Sequence, residues 1–149
     1  MTSGLGERAE ELARRAHAGQ VDKLGDGYFE AHLRPIAELL RPFGEYASAA
    51  GVLHDIVEDT ATTYDDLRAA GIPEPVVSAV RSVTRVEGEP YEALIARAAA
   101  HPLGRLVKLA DNWHNLQGQA ALAQVDPETS AALRERYERA RETLTAALL

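Results

Sequence analysis

The stretch GVLHDIVEDT, residues 51–60, places four ionisable side chains within six positions of an apolar segment. At about 100° per residue, a helix puts His54 and Glu58 in one i,i+4 row and Asp55 and Asp59 in the next row. The apolar positions of the segment point away from most of this group. The stretch therefore predicts a helix whose C-terminal end gathers one imidazole and three carboxylates on one side.

Such a group of charges is unfavourable unless something compensates it. The C-terminal end of a helix disfavours anions, and three neighbouring carboxylates repel one another. A divalent cation supplies the missing positive charge, and neutral imidazole with carboxylate is a ligand set that suits manganese, iron or zinc. The alternative interpretation is a solvated acidic helix end that binds no metal. The choice between them depends on whether other parts of the chain offer further ligands.

Two further segments favour the metal site. RLVKLADNWHNL is typical of a helix and carries Lys108, Asp111 and Asn115 on one face. YFEAHLRPIAELL places His32 just ahead of an apolar helix. An aspartate and a second histidine are therefore available as ligands from distant parts of the chain.

The composition favours an all-α fold. The chain has 149 residues, with 27 alanines and 18 leucines against 10 valines and 4 isoleucines, and it shows no alternating strand pattern. The length and the absence of a Gly/Ser-rich linker predict one compact domain over 1–149. We expect about seven or eight helices around the metal site.

Turn-forming residues set the helix boundaries. The first helix ends near Gly19, and the second begins at Tyr28 or at Leu33, depending on how Pro35 is accommodated. The third is predicted as one helix over about 45–59.

The later helices are predicted from their apolar spacing. The seventh covers about 103–117 and has Leu106, Ala110 and Trp113 on its buried face. A last amphipathic helix covers about 127–148, and its arginines alternate with glutamates, a pattern typical of a solvated, salt-bridged face.

Charge and composition also exclude several classes of function. The formal net charge is −7, from 23 acidic and 16 basic residues, which argues against a long nucleic acid as a partner. The absence of cysteine excludes disulfides, thiolate catalysis and cysteine-bound zinc. No apolar run reaches the roughly 18 residues of a membrane span, and the N-terminal residues lack the apolar centre of a signal peptide. We therefore expect a soluble cytoplasmic protein with no membrane partner.

Three blocks of sequence, taken in order, resemble known enzymes: AHAGQVDKLGDGYFEAH (16–32), GVLHDIVEDT (51–60) and KLADNWHNL (108–116). They are similar to the signature of the HD superfamily of metal-dependent phosphohydrolases, and more closely to the hydrolase domain of RelA/SpoT-type alarmone enzymes and their small stand-alone relatives. The resemblance covers a core of about 9–120. It implies the compact helical HD-domain fold and hydrolysis of a phosphate ester in a small nucleotide.

The resemblance also implies a metal cofactor. In that family two histidines and two aspartates hold one divalent ion, commonly Mn²⁺, with iron, zinc, cobalt and magnesium as alternatives here. The matching residues of this chain are His32, His54, Asp55 and Asp111. The family's catalytic pair, which activates or positions water, matches Glu58 and Asp59.

Substrate contacts follow from the same match. Lys23 and Asn115 match residues that meet the nucleotide, and Arg34 and Lys108 are further candidates for phosphate contacts. The chain departs from the family at Asp22, where an arginine usually stacks on guanine, and its segment before KLAD is short.

These departures leave three interpretations open. The chain is predicted to be a metal-dependent phosphohydrolase, with (p)ppGpp 3′-pyrophosphohydrolase as the family's activity. The first alternative keeps the site but changes the substrate to another nucleotide, such as NADPH or a nucleoside phosphate. The second is a metal- and nucleotide-binding module without turnover. Either a monomer or a homodimer fits the sequence.

Overall fold

The computed structural model describes residues 4–148, and within them the regular structure is helical, with one isolated bridge between Val21 and Gly27 and no strand. The α-helices are α1 Leu5–Ala16, α2 Arg34–Leu40, α3 Glu45–Leu53, α4 Ile56–Asp59, α5 Tyr64–Ala69, α6 Glu74–Val83, α7 Tyr91–Ala99, α8 Pro102–Gln117, α9 Gln119–Val125 and α10 Pro127–Ala146. The predicted all-α fold is confirmed. None of the described helices is long and apolar enough to cross a membrane.

Helix α3 lies at the centre of the core, where it packs against α1, α2, α6 and α8. Its sequence, EYASAAGVL, is small and apolar along most of its length, so several of its faces can be buried at once. Its buried residues are Ala47, Ala49, Ala50, Gly51, Val52 and Leu53. The pair His54-Asp55 that follows is thereby carried into the interior.

The third predicted helix is wrong in one respect, because it is broken at His54 and Asp55. Helix α3 ends before this pair, Asp55 has a φ of −101° and a ψ of 0°, and α4 then begins at Ile56. The imidazole Nδ1 of His54 lies 2.6 Å from the carbonyl oxygen of Gly51, a side-chain bond that competes with the backbone ladder of the helix. The break takes His54 and Asp55 out of the regular helical rows that the sequence predicted.

The second helix begins with a π-helical turn, Phe29–Leu33, that leads directly into α2. Pro35 has no N–H to donate to the carbonyl of Ala31, so a regular α-helical hydrogen bond is impossible there. The wider turn accommodates this loss and places His32 near its end, facing the interior. Such turns recur at functional sites.

The C-terminal part of the chain differs from prediction in two places. Helix α9, Gln119–Val125, falls in a stretch for which no helix was predicted. Trp113, expected in the core, is 49% exposed, whereas Asp111 and Asn112 are buried. Side chains two positions apart in a helix point about 200° away from each other, so a helix that turns Asp111 inward turns Trp113 outward.

Helix α10, Pro127–Ala146, is the predicted last helix and packs across α7, α8 and α9. Asp126 caps it by accepting a hydrogen bond from the N–H of Thr129 at 3.1 Å. Its buried positions are Ser130, Ala140 and Leu144. Helix α10 therefore covers the side of the core that is formed by α7, α8 and α9.

A close approach between α6 and α8 gives a test of this packing. A Cβ added at Gly104 would lie 2.0 Å from Oγ and 3.1 Å from Cβ of Ser82, which is buried and donates to the Ala79 carbonyl at 2.6 Å. We expect Gly104→Ala to lower the free energy of unfolding by about 1–3 kcal/mol, measured by urea denaturation.

The matched control is Gly6→Ala, in the first turn of α1, where nothing lies within 4 Å of an added Cβ. This variant should keep its stability or gain up to about 1 kcal/mol, because alanine is the better helix former. Two variants of equal stability would contradict the close approach of α6 and α8.

Candidate metal and substrate site

Four side chains from three separate elements converge on one point. His32 comes from the π-helical turn, His54 and Asp55 from the break after α3, and Asp111 from the middle of α8. Nε2 of His32 lies 3.0 Å from Oδ1 of Asp111 and 3.8 Å from Oδ2 of Asp55. Nε2 of His54 lies 3.1 Å from Oδ2 of Asp55 and 3.5 Å from Oδ1 of Asp111. The structure thus brings all four predicted ligands together.

The hydrogen bonds of His54 fix the tautomer of its neutral ring. A carbonyl oxygen can only accept, so Nδ1 of His54 carries a proton and donates it to Gly51. Nε2 is buried and has no hydrogen-bond partner among residues 4–148, although two carboxylates, of Asp55 and Asp111, lie beside it. A lone pair facing two carboxylates is stabilised only by a cation between them, either a proton on Nε2 or a metal ion.

The donor atoms have the spacing of a metal site. Metal bonds of about 2.1 Å to nitrogen and oxygen put neighbouring ligand atoms about 3–4 Å apart. One donor atom each from His32, His54 and Asp55 lies within 4.8 Å of the other two, and Asp111 lies 3.0 Å from His32. Two imidazoles and two carboxylates, with no thiolate, suit a transition metal of intermediate softness. The residues present therefore fit a divalent cation.

Burial and charge together make the site strongly attractive to cations. Burial alone would lower the pKa of His54, but the carboxylates of Asp55 and Asp111 outweigh it and hold that pKa well above its usual value. Burial would raise the pKa of Asp55, yet the His54 imidazole outweighs this effect and lowers the pKa to about 2. Both partners thus favour the charged forms.

Asp111 is held in the ionised form by a partly buried lysine. Burial would raise its pKa, but Lys108 and the two histidines of the cluster hold it well below its usual value. Nζ of Lys108 donates to Oδ2 of Asp111 at 3.0 Å, and Nδ2 of Asn115 donates to Oδ1 at 3.2 Å. The three residues share one face of α8, as the sequence predicts.

Two residues outside the predicted set orient the cluster. The hydroxyl of Tyr28 donates to Oδ2 of Asp55. Nδ1 of His32 lies 3.2 Å from Nδ1 of His114, so the two rings share one proton between these atoms. Partners of this kind fix the orientation of a ligating histidine or carboxylate. Tyr28 lies four residues before His32, a helical spacing that could have pointed to it.

Three residues of the cluster, His32, Asp55 and Asp111, line a cavity of about 530 Å³, a volume typical of small-molecule sites, and His54 lies behind them. Four of the predicted residues besides the ligands line this cavity: Lys23, Glu58, Lys108 and Asn115. Tyr91, Arg136 and Tyr137 also line it, although the sequence placed Arg136 on a solvated face. Their contribution depends on α10 packing against α7 and α8, which sequence spacing does not reveal.

Two of the predicted residues have other partners. The guanidinium of Arg34 pairs with Glu30 at 2.9 Å and lies over the ring of Phe29, and Arg34 is not among the residues that line the cavity. Oδ2 of Asp59 accepts a hydrogen bond from Nε2 of Gln20 at 3.1 Å.

Glu58 and Asp22 are each held by backbone groups at the cavity wall. Oε1 of Glu58 accepts from the N–H of Arg85 at 2.9 Å, which fixes its carboxylate. Oδ1 of Asp22 accepts from the N–H groups of Leu24 and Asp26, both at 2.9 Å. Asp22 therefore stabilises the turn of its own loop, a role that the arginine of the family could not fill.

Comparison with known proteins relates the chain to a group of bacterial enzymes. No protein-family model matches the chain. It is 34% identical over 136 residues to the GTP pyrophosphokinase of Streptomyces coelicolor, across 84% of this chain and 16% of the relative. It is 32% identical over 121 residues to the guanosine-3′,5′-bis(diphosphate) 3′-pyrophosphohydrolase of Aquifex aeolicus, across 74% of this chain and 17% of the relative. The chain thus spans about a sixth of each of these relatives.

Among solved structures, a metazoan ortholog of SpoT that hydrolyses ppGpp has a similar fold. The TM-score is 0.69 at 21% identity, and the match covers 99% of this chain and 95% of that chain. The sequence relatives and the shared fold confirm the resemblance predicted from the three sequence blocks.

The ion pair of the partly buried Lys108 and the buried Asp111 gives a test of the electrostatics. Replacing Lys108 by methionine keeps the volume but removes the charge that Asp111 faces, so in the metal-free protein we expect Lys108→Met to lower the free energy of unfolding by about 3 kcal/mol. Chemical denaturation in the presence of a chelator measures this change in the free energy of unfolding.

The double variant Lys108→Met/Asp111→Asn is the control, because it removes both charges together. It should be more stable than Lys108→Met alone. A double variant that is less stable, by the sum of the two single effects, would contradict the coupling of these two side chains.

Proposed function

We propose that this chain, an HD-type domain related to the hydrolase domains of RelA/SpoT enzymes, is a metal-dependent phosphohydrolase that releases pyrophosphate from the ribose 3′ position of ppGpp. One observation carries the proposal: two imidazoles and two carboxylates converge beside a cavity, around a buried Nε2 of His54 that has no hydrogen-bond partner within the described part of the chain. The hydrolase names of relatives such as that of Aquifex aeolicus supply the substrate.

In this proposal the cation is Mn²⁺. Its ligands are His32, His54, Asp55 and Asp111. When bound, a divalent cation supplies Lewis-acid activation of water and of the phosphate ester. The identity of the metal as manganese, the cytoplasmic location and the monomeric or homodimeric state are predictions made from the sequence alone.

Glu58 is proposed as the general base. Its Oε1 is fixed by the N–H of Arg85 at 2.9 Å, which leaves Oε2 to take the proton of the attacking water. Asp59 acts beside it, oriented by the amide of Gln20. These two carboxylates are the proposed catalytic pair.

Lys23 and Asn115 are proposed to bind the nucleotide, since both line the cavity. Lys23 is exposed at its rim and can meet a phosphate oxygen, whereas Lys108 is paired with Asp111 and acts by holding that carboxylate in place. Arg34 is left out, because its guanidinium is paired with Glu30.

Metal binding is tested with an isosteric ligand variant. We expect Mn²⁺ to raise the melting temperature of the wild-type protein, because the ion binds the folded state alone. Asp55→Asn should weaken Mn²⁺ binding by at least about 100-fold and lose the stabilisation, as measured by calorimetry and thermal denaturation. Glu11→Gln, at an exposed ion pair with Arg15, is the control and should bind like the wild type. Unchanged binding in Asp55→Asn would overturn the ligand set.

Turnover is tested by pyrophosphate release from ppGpp in the Mn²⁺-loaded protein. Glu58→Gln keeps the shape of the side chain and its bond to Arg85 but cannot take a proton at neutral pH. We expect kcat to fall by about 10²–10⁴-fold while Mn²⁺ binding is retained. Wild-type turnover in Glu58→Gln would contradict its role as the base.

The substrate is tested with a panel of nucleotides. Nucleotides other than ppGpp are included because of the loop around Asp22. Its carboxylate is occupied by two backbone N–H groups and offers no cation to stack on a base. Faster hydrolysis of NADPH or a nucleoside phosphate than of ppGpp would change the substrate and keep the chemistry. Nucleotide binding without product under several metals would favour a non-catalytic module.

A further inference from the structure

A second cavity adjoins the first one and shares part of its wall. It measures about 390 Å³ and lies between the segment that leads into α7, helix α7 and helix α10. Tyr91 and Arg136 line both cavities, so the two meet at this pair. Arg136 is therefore accessible to a ligand from either cavity.

Arg136 is held by an aromatic ring rather than by a carboxylate. Its guanidinium carbon lies 4.5 Å from the centre of the Tyr91 ring. Over residues 4–148 it has no carboxylate oxygen within 4 Å, unlike its neighbours on α10, since Arg134 pairs with Glu138 and Arg139 lies near Glu135. Stacking positions the guanidinium and leaves its N–H groups available to an anion.

The metal end of the first cavity and the second cavity differ in the sign of their net charge. The proposed metal end of the first cavity carries the carboxylates of Asp55, Glu58 and Asp111. Three arginines line the second cavity, with Glu92 as its acidic residue: Arg85, Arg136 and Arg139. Without a metal, one end attracts cations and the other attracts anions.

We infer that Arg136, stacked on Tyr91, binds the second phosphate group of a nucleotide whose first phosphate ester lies at the metal end. This inference rests on the proposed function and adds to it the residue that binds the phosphate group remote from the metal end. The guanidinium binds a phosphate through two parallel hydrogen bonds, a geometry that a lysine does not offer. Tyr91 is a positioning residue, because it acts through Arg136.

Binding of a bisphosphate and a monophosphate tests the inference. The probes are guanosine 3′,5′-bisphosphate and guanosine 3′-monophosphate, which differ by the 5′-phosphate alone, titrated into the Mn²⁺-loaded chain by calorimetry at one ionic strength. Arg136→Met keeps the aliphatic stem and removes the guanidinium. We expect it to weaken bisphosphate binding about tenfold and monophosphate binding by less than about twofold.

Two further variants separate this role from general effects. Arg134→Met removes an arginine of the same helix that pairs with Glu138, and it should change neither affinity. Tyr91→Phe keeps the ring and should bind like the wild type, whereas Tyr91→Leu should lose part of the preference for the bisphosphate. Rescue by phenylalanine is not expected of a residue that acts through its hydroxyl.

The inference is overturned if Arg136→Met weakens both probes equally or weakens neither, or if the wild type binds the two probes with the same affinity. Its failure is distinguishable from failure of the proposed function, because neither probe needs to be hydrolysed. A chain that prefers the bisphosphate through Arg136 yet releases no pyrophosphate from ppGpp supports the inference and contradicts the proposed function.

Discussion

Two carboxylates, those of the partly buried Asp55 and the buried Asp111, lie beside the same buried nitrogen, Nε2 of His54. Lys108 donates to Asp111, and the Tyr28 hydroxyl donates to Asp55. Only one of these two partners carries a positive charge, so the two carboxylates are not fully compensated. A cation at this point relieves the remaining charge. The break after α3, the π-helical turn before α2 and the inward face of α8 together bring these groups to one point.

The local geometry is set largely by side-chain bonds to the backbone. His54 donates to the Gly51 carbonyl, and this bond both interrupts the helix and turns Nε2 toward the carboxylates. Glu58 is fixed by the Arg85 N–H on the next segment. The carboxylate of Asp22 accepts two backbone hydrogen bonds within its own loop. Protein groups thus position the donors in advance, which lowers the cost of organising a site.

The sequence predicted which residues form the cluster better than it predicted the helix geometry around them. The all-α fold and the convergence of His32, His54, Asp55 and Asp111 follow from composition and from motif order, and relatives confirm the resemblance. The unbroken third helix was wrong, because helical spacing alone does not register a histidine that bonds its own backbone.

Other differences come from long-range packing. Trp113 was expected in the core since it continues an apolar row, but α8 rotates so that Asp111 faces the cluster. Arg136 belongs to an alternating run of arginine and glutamate, and its place over Tyr91 depends on how α10 crosses α7.

The central claim is that one cation binds between the two histidines and the two aspartates. The most direct measurement is anomalous diffraction at the manganese edge, from crystals of the protein reconstituted with Mn²⁺. We predict one strong anomalous peak within about 2.0–2.3 Å of Nε2 of His32 and of His54, bounded by carboxylate oxygens of Asp55 and Asp111. A crystal with no peak there, or with its strongest peak at other residues, would contradict the account.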